Sequence, residues 1–143
     1  MPEFYFHLLH PKLVHFPIAF FIGALGLEII SLVFKKESLH KAAVTLFVMA
    51  TVITPLVVWS GLEEAEHLNL HHPVLDTHKR FALLTMWGSL AALPVLLVAH
   101  QRNKTAFRIV FLIFLLIFAI FVTIAGHNGG RMVYEYGVGV DQH

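Results

Sequence analysis

The amino-acid sequence predicts an all-α integral membrane protein, a four-helix up-down-up-down bundle. Of its 143 residues, 57% are hydrophobic and 13% are charged, whereas a soluble domain is about half apolar and about a quarter charged. The apolar residues fall into four long segments separated by short polar stretches. Segments of this length are helices, because only helices and closed barrels satisfy the backbone hydrogen bonds in lipid.

Each apolar segment is long enough to cross the membrane, since a helix of about 20 residues spans a hydrocarbon core of about 30 Å. The uncharged stretches are 42–62, 81–99 and 109–126, and the first segment, 13–34, contains one charged residue, Glu28. We therefore predict a single transmembrane domain over residues 1–143. Its predicted parts are helices over about 11–34, 42–62, 77–99 and 107–126 and a short C-terminal tail over 127–143. Gly126, Gly129 and Gly130 are expected to end the fourth helix.

The basic residues of the short loops predict the orientation, because such residues favour the cytoplasmic side. The loops after the first and third helices hold six of them: Lys35, Lys36, Lys41, Arg102, Lys104 and Arg108. The opposite side holds four: Lys12, Lys79, Arg80 and Arg131. We expect a multi-pass membrane protein with both termini outside. A cleavable signal peptide is not expected, since the first apolar segment is too long and its positive flank follows it.

Histidines are concentrated on the predicted outer side. Nine of the eleven lie there, namely His7, His10, His15, His67, His71, His72, His78, His127 and His143. We interpret several of these histidines as polar side chains that simply lie in the hydrated headgroup region of the membrane. His15, His78 and His127 fit it less well, because they lie within or against the apolar spans, where ionisable residues usually mark a functional site.

The spacing around two of these histidines indicates a pair of ligands. Pro11 suits the first position of a helix and leaves His10 near the N-cap, while Pro17 loosens the helix around His15 because it lacks a backbone donor. Helix one and helix three are diagonal in an up-down bundle, so we expect His15 and His78 to face each other at similar depth. Small residues follow each of them at helical spacing: Ala19, Gly23 and Gly26 after the first, and Ala82, Thr85, Ser89 and Ala92 after the second.

Two interpretations of the small residues remain open. They allow close approach of membrane helices, or they leave a slot for a flat macrocycle whose iron takes two axial histidines. Since the chain contains no cysteine, any haem is held non-covalently. Lys79, Arg80 and Arg131 lie at the outer rim, where they are candidate partners of haem propionates.

Other roles for the histidines also remain open. His127 is a candidate ligand, a hydrogen-bond donor behind the ligands, or a helix-end cation favoured by the dipole. A zinc or copper site is the rival to haem, with ligands drawn from His10, His15, His78 and His127. For Glu28 we favour a side chain that reaches toward the inner interface over a buried proton relay.

The sequence resembles a family of bacterial membrane proteins grouped as domain of unknown function 2231. The resemblance rests on the opening His-Pro-Lys-Leu-Val-His-Phe-Pro-Ile-Ala, on Gly61 and His78, and on the ending Gly-His-Asn-Gly-Gly-Arg-Met-Val-Tyr-Glu-Tyr-Gly-Val-Gly-Val. It covers essentially the whole chain. The resemblance implies four helices and shared histidines that match His10, His15, His78 and His127, but it implies no established activity.

The leading hypothesis is a b-type haem protein that transfers electrons at the outer face of the inner membrane, alone or within a respiratory complex. Its candidate partners are the lipid bilayer, a quinone, a periplasmic cytochrome and other membrane subunits. The alternatives are a non-haem transition-metal (zinc, copper or iron) binding or transport protein and a purely structural membrane subunit. We expect no independent catalytic activity, because the sequence shows no nucleophile–base grouping and no phosphate-binding glycine loop.

Overall fold

The computed structural model describes residues 9–67, 69–102 and 104–138, with the backbone alone at residues 100 and 102. These residues form five helices: α1 (His10–Leu13), α2 (His15–Phe34), α3 (Glu37–His67), α4 (Pro73–Arg102) and α5 (Lys104–Tyr134). Four spans are long and apolar enough to cross a membrane, namely His10–Phe34, Glu37–His67, Pro73–Ala99 and Lys104–Tyr134. The predicted four-helix membrane protein is therefore confirmed.

The helices form a ring of four around a common core. The most extensive contacts join α2 to α3 and α4 to α5, so the bundle consists of two helical hairpins. The hairpins meet where α2 contacts α5 and where α3 contacts α4, and these contacts are less extensive. The short helix α1 packs against α2 and α3.

Contacts at the two ends fix the direction of each helix. At one end, which we call the Glu28 end, Glu28 of α2 contacts His40 of α3 and Arg108 of α5. At the other, the histidine end, His10 of α1 contacts Val57 of α3. His78 of α4 contacts Ala125 of α5 at that same end. Consecutive membrane-length helices therefore run in opposite directions.

Four phenylalanines fill the centre of the bundle between the two ends. Phe21 of α2, Phe47 of α3, and Phe111 and Phe118 of α5 are at most 2% exposed. Phe118 lies across the boundary between the hairpins, with its ring centroid 5.5 Å from Phe21 and 6.0 Å from Phe47. This aromatic layer separates the polar groups of the Glu28 end from those of the histidine end. Large apolar side chains remain exposed on the outside, among them Val33, Val52 and Trp87, as lipid contact requires.

The first helix is interrupted where the sequence predicts one continuous element over 11–34. Val14 is a turn residue between α1 and α2. Pro17 explains the position of the break, since it has no N–H to donate to the carbonyl of Leu13, four residues earlier. Val14 keeps right-handed helical backbone angles, φ −60° and ψ −26°, so α1 and α2 together form the span His10–Phe34.

The predicted end of the fourth helix is wrong, because α5 continues through the glycine-rich run to Tyr134. Glycine is more common within membrane helices than in soluble ones. Here Gly126 and Gly129 allow close approach of side chains from other helices: a Cβ would lie 3.3 Å from Ile18 at the first and 3.5 Å from His78 at the second. Helix α4 also begins earlier than predicted, at Pro73, where the N–H of Val74 donates to His72 Nδ1 at 3.2 Å.

Candidate functional site

His10 is held at the histidine end by the last turns of α3. Its Nδ1–H is shared between the carbonyl oxygen of Val57 at 3.1 Å and Ser60 Oγ at 3.0 Å. Ser60 Oγ in turn donates to the same carbonyl at 2.8 Å. These acceptors assign the proton of the neutral ring to Nδ1, so Nε2 carries the lone pair.

His78 is held in the same manner by the other hairpin. Its Nδ1–H donates to the carbonyl oxygen of Ala125 in α5 at 2.8 Å. Its Nε2 therefore also carries the lone pair in the neutral ring. Within residues 9–67, 69–102 and 104–138, neither His10 nor His78 has a hydrogen bond to Nε2.

The two imidazoles meet across the boundary between the hairpins. Their ring centroids are 6.3 Å apart and their planes are almost perpendicular, at 88°. Both side chains are partly buried. The arrangement brings together two neutral nitrogen donors whose other ring nitrogens are fixed by backbone carbonyls, as is usual for metal-ligating histidines.

A glycine lies beside each ring. A Cβ at Gly61 would come within 2.4 Å of His10 Cε1, and a Cβ at Gly129 would lie 3.5 Å from His78 Cε1 and Nδ1. The His10 ring therefore occupies the space that any side chain at position 61 would need. This explains why a glycine at the end of the second membrane helix belongs to the site.

Gly61→Ala is expected to displace His10 and to destabilise the protein by about 1–3 kcal/mol, because overpacking forces side chains out of their positions. The matched control is Gly130→Ala, where a Cβ meets nothing within 4 Å and where the better helix propensity of alanine favours stability. Thermal unfolding in detergent, followed by circular dichroism, measures both. Equal melting temperatures for the two variants would contradict the close contact at Gly61.

The structure places His15 and His127 away from this pair. Both side chains are exposed, and no described residue makes a hydrogen bond or ring contact with either. The expectation that His15 faces His78 is thus corrected: the ring opposite His78 is that of His10. The physical reason is the position of each residue around the helix: His10 and His15 are five positions apart, which is about 140° around the axis, so His15 points away from the bundle when His10 faces α3.

The three basic residues predicted to meet propionates lie in three different surroundings. Lys79 lines an open pocket of about 830 Å³ together with His72 and Asp76. Arg80 is exposed and lines a groove between α4 and α5. Arg131 donates through Nε to Glu135 Oε2 at 2.9 Å, one helical turn later. All three basic residues lie toward the histidine end, on the side where the sequence places them.

A tetrahedral metal site is not assembled among the described residues. No group of three or more histidine, aspartate or glutamate side chains in that part of the chain is placed to hold one ion. His7 and His143 lie outside the described residues. The structure therefore brings together two of the four histidines proposed for zinc or copper, His10 and His78.

The Glu28 end contains a buried charged network that sequence reasoning missed. Glu28 is fully buried; its Oε2 accepts from His40 Nδ1 at 2.6 Å and its Oε1 accepts from Arg108 Nε at 3.1 Å. Arg108 also donates through Nη2 to Ser31 Oγ at 2.7 Å. The expectation that Glu28 reaches toward the interface is therefore wrong. The signal that was available is its position one helical turn before Ser31, close to the polar turn that leads to His40.

Comparison with known proteins agrees with a membrane protein. The sequence model of a family described as predicted membrane proteins, DUF2231, matches residues 6–142. The chain belongs to this family. No curated protein and no solved structure gave a significant match. The matched region of this DUF2231 protein includes all five helices, so the histidine pair and the Glu28 network both lie within the family's domain.

Proposed function

We propose that this DUF2231 protein binds a non-covalent b-type haem between His10 and His78 and transfers electrons at the outer, periplasmic face of the bacterial inner membrane. The observation that carries the proposal is the pair of imidazoles, one from each hairpin, with free Nε2 atoms and fixed Nδ1 atoms. When bound, the haem would supply reversible one-electron chemistry, and the protein would supply its axial ligands and surroundings.

The separation of the rings supports one ion shared by the two imidazoles. Their centroids are 6.3 Å apart, and a metal–nitrogen bond of about 2.0 Å to each ring would span a distance of this size. His10 and His78 would therefore be the two protein ligands of the iron, one from each hairpin.

The carbonyl contacts of Val57 and Ala125 have a chemical consequence for such a site. A hydrogen bond from Nδ1–H fixes the orientation of the ring and raises the basicity of Nε2 as a ligand. Since Val57 belongs to one hairpin and Ala125 to the other, each hairpin fixes one ligand. We infer that binding of the iron would join the hairpins at the histidine end.

The proposal is tested by the metal content and redox behaviour of the purified full chain, expressed with added haem precursor. We expect stoichiometric iron present as extractable protohaem, and reoxidation of the dithionite-reduced protein by a soluble cytochrome or a quinone. Copper can also be bound by two histidines, so the copper and zinc contents are measured in the same sample. Stoichiometric copper or zinc without iron would overturn the haem proposal in favour of a metal-binding or transport function.

A further inference from the structure

An open groove runs along the outer surface of the α4–α5 pair. It has a volume of about 420 Å³ and begins at Arg80, near the histidine end. Its walls are apolar, with four aromatic side chains among them, and Arg80 is the one charged residue of the lining. The groove continues inward to Gly88 on α4 and to Phe114 and Phe118 on α5.

The length of the groove matches one leaflet of a bilayer. Arg80 and Gly88 are eight positions apart on α4, which corresponds to about 12 Å along the helix axis. The hydrocarbon depth of one leaflet is about 15 Å, half of the membrane core. A ligand in the groove would therefore begin at the interface and end near the middle of the membrane.

The floor of the groove depends on a glycine. A Cβ at Gly88 would lie 3.0 Å from Phe118 Cε1, so a larger side chain there would fill the space between the helices. Phe118 is held in place by Phe114, whose ring stacks against it with centroids 6.0 Å apart. Trp87, which is 64% exposed, forms the lipid-facing side. The walls are thus rigid and apolar, as an acyl chain requires.

Arg80 differs from the other arginines whose side chains are described. Arg108 pairs with Glu28 and Arg131 pairs with Glu135, whereas the Arg80 guanidinium has no hydrogen bond or ion pair among the described residues. A guanidinium at the interface suits a phosphate, which it binds with two parallel hydrogen bonds. An unpaired cation at the head of a leaflet-long apolar groove is complementary to an anionic lipid.

We propose that this groove binds one anionic phospholipid from the leaflet at the histidine end. Its phosphate is held by Arg80, and one acyl chain lies along Trp87 and Gly88. The site is separate from the histidine pair, because Arg80 faces the lipid while His78, two positions earlier, faces α5. Lipid binding in the groove therefore does not depend on haem binding.

The test is lipid binding by the delipidated full chain in detergent, measured by native mass spectrometry with added phosphatidylglycerol or phosphatidylcholine. We expect the wild type to bind phosphatidylglycerol about tenfold more tightly, because the choline cation of phosphatidylcholine offsets the phosphate charge that attracts Arg80, whereas glycerol leaves the headgroup with a net negative charge. Arg80→Gln should abolish this preference, and Gly88→Leu should weaken binding of both lipids. Lys12→Gln removes another exposed cation at the histidine end and should leave the preference unchanged.

Three results would overturn the proposal. The first is an undiminished preference for phosphatidylglycerol in Arg80→Gln, a surface substitution that leaves the core intact. The second is wild-type lipid binding by Gly88→Leu with a wild-type circular dichroism spectrum. An equal loss of preference in Lys12→Gln would also contradict it, since the effect would then follow from net charge rather than from the groove.

Discussion

Arg108→Ala is expected to destabilise the protein by about 3–5 kcal/mol, because the buried Glu28 carboxylate loses its arginine partner and keeps only the hydrogen bond from His40. The side chain of Arg108 is 24% exposed while that of Glu28 is completely buried. Arg108 also joins α5 to α2, and so it connects the two hairpins at the Glu28 end. Thermal unfolding in detergent, compared with the wild type, measures the effect.

Two further variants separate the buried charge from a general effect of losing an arginine. Arg131→Ala removes a cation whose partner, Glu135, is 51% exposed, and it should cost at most about 1 kcal/mol. Glu28→Gln in the Arg108→Ala background removes the unpaired charge and should recover part of the stability. Equal melting temperatures for Arg108→Ala and Arg131→Ala would show that the Glu28 network contributes no more than a surface pair.

Replacement of either His10 or His78 by Ala is expected to abolish haem binding, the second large effect. Each substitution removes one of the two imidazoles whose ring centroids are 6.3 Å apart. His15→Ala is the matched control, since His15 lies five positions from His10 but is exposed. Haem content per purified chain, measured after extraction, should fall to background in the first two variants and stay at the wild-type level in the third.

The same series distinguishes the structural site from the site expected from helical spacing. Loss of haem in His15→Ala together with retention in His10→Ala would restore the pair predicted from the sequence. Loss in all three variants with a lowered melting temperature would indicate unfolding rather than ligand removal. A glycine at each position, with exogenous imidazole added, resolves that case, because imidazole restores a ligand but not a fold.

The four membrane helices are predictable from the sequence because length and hydropathy decide them. The hydrocarbon core sets the number of apolar residues, and the four segments meet it without reference to tertiary contacts. The residues at which the helices begin and end are less predictable. Gly126 to Gly130 indicate a helix end by the statistics of soluble helices, yet in the bundle this run stays helical.

The partners in the sites could not be predicted, because they depend on contacts that are distant in sequence. His10 docks on Val57, 47 positions away, and Glu28 pairs with Arg108, 80 positions away. Helical spacing relates residues within one helix only, so it favoured the deeper His15. His10 and His15 lie about 140° apart around the helix, so only one of them can face the other hairpin, and the sequence does not show which.

We propose that this bundle holds a haem between His10 and His78. A reduced-minus-oxidised absorption spectrum of the purified protein tests this proposal. We expect a Soret band and an α-band typical of low-spin haem with two histidine ligands. A spectrum without these bands, from protein expressed with sufficient haem and correctly folded by circular dichroism, would contradict it.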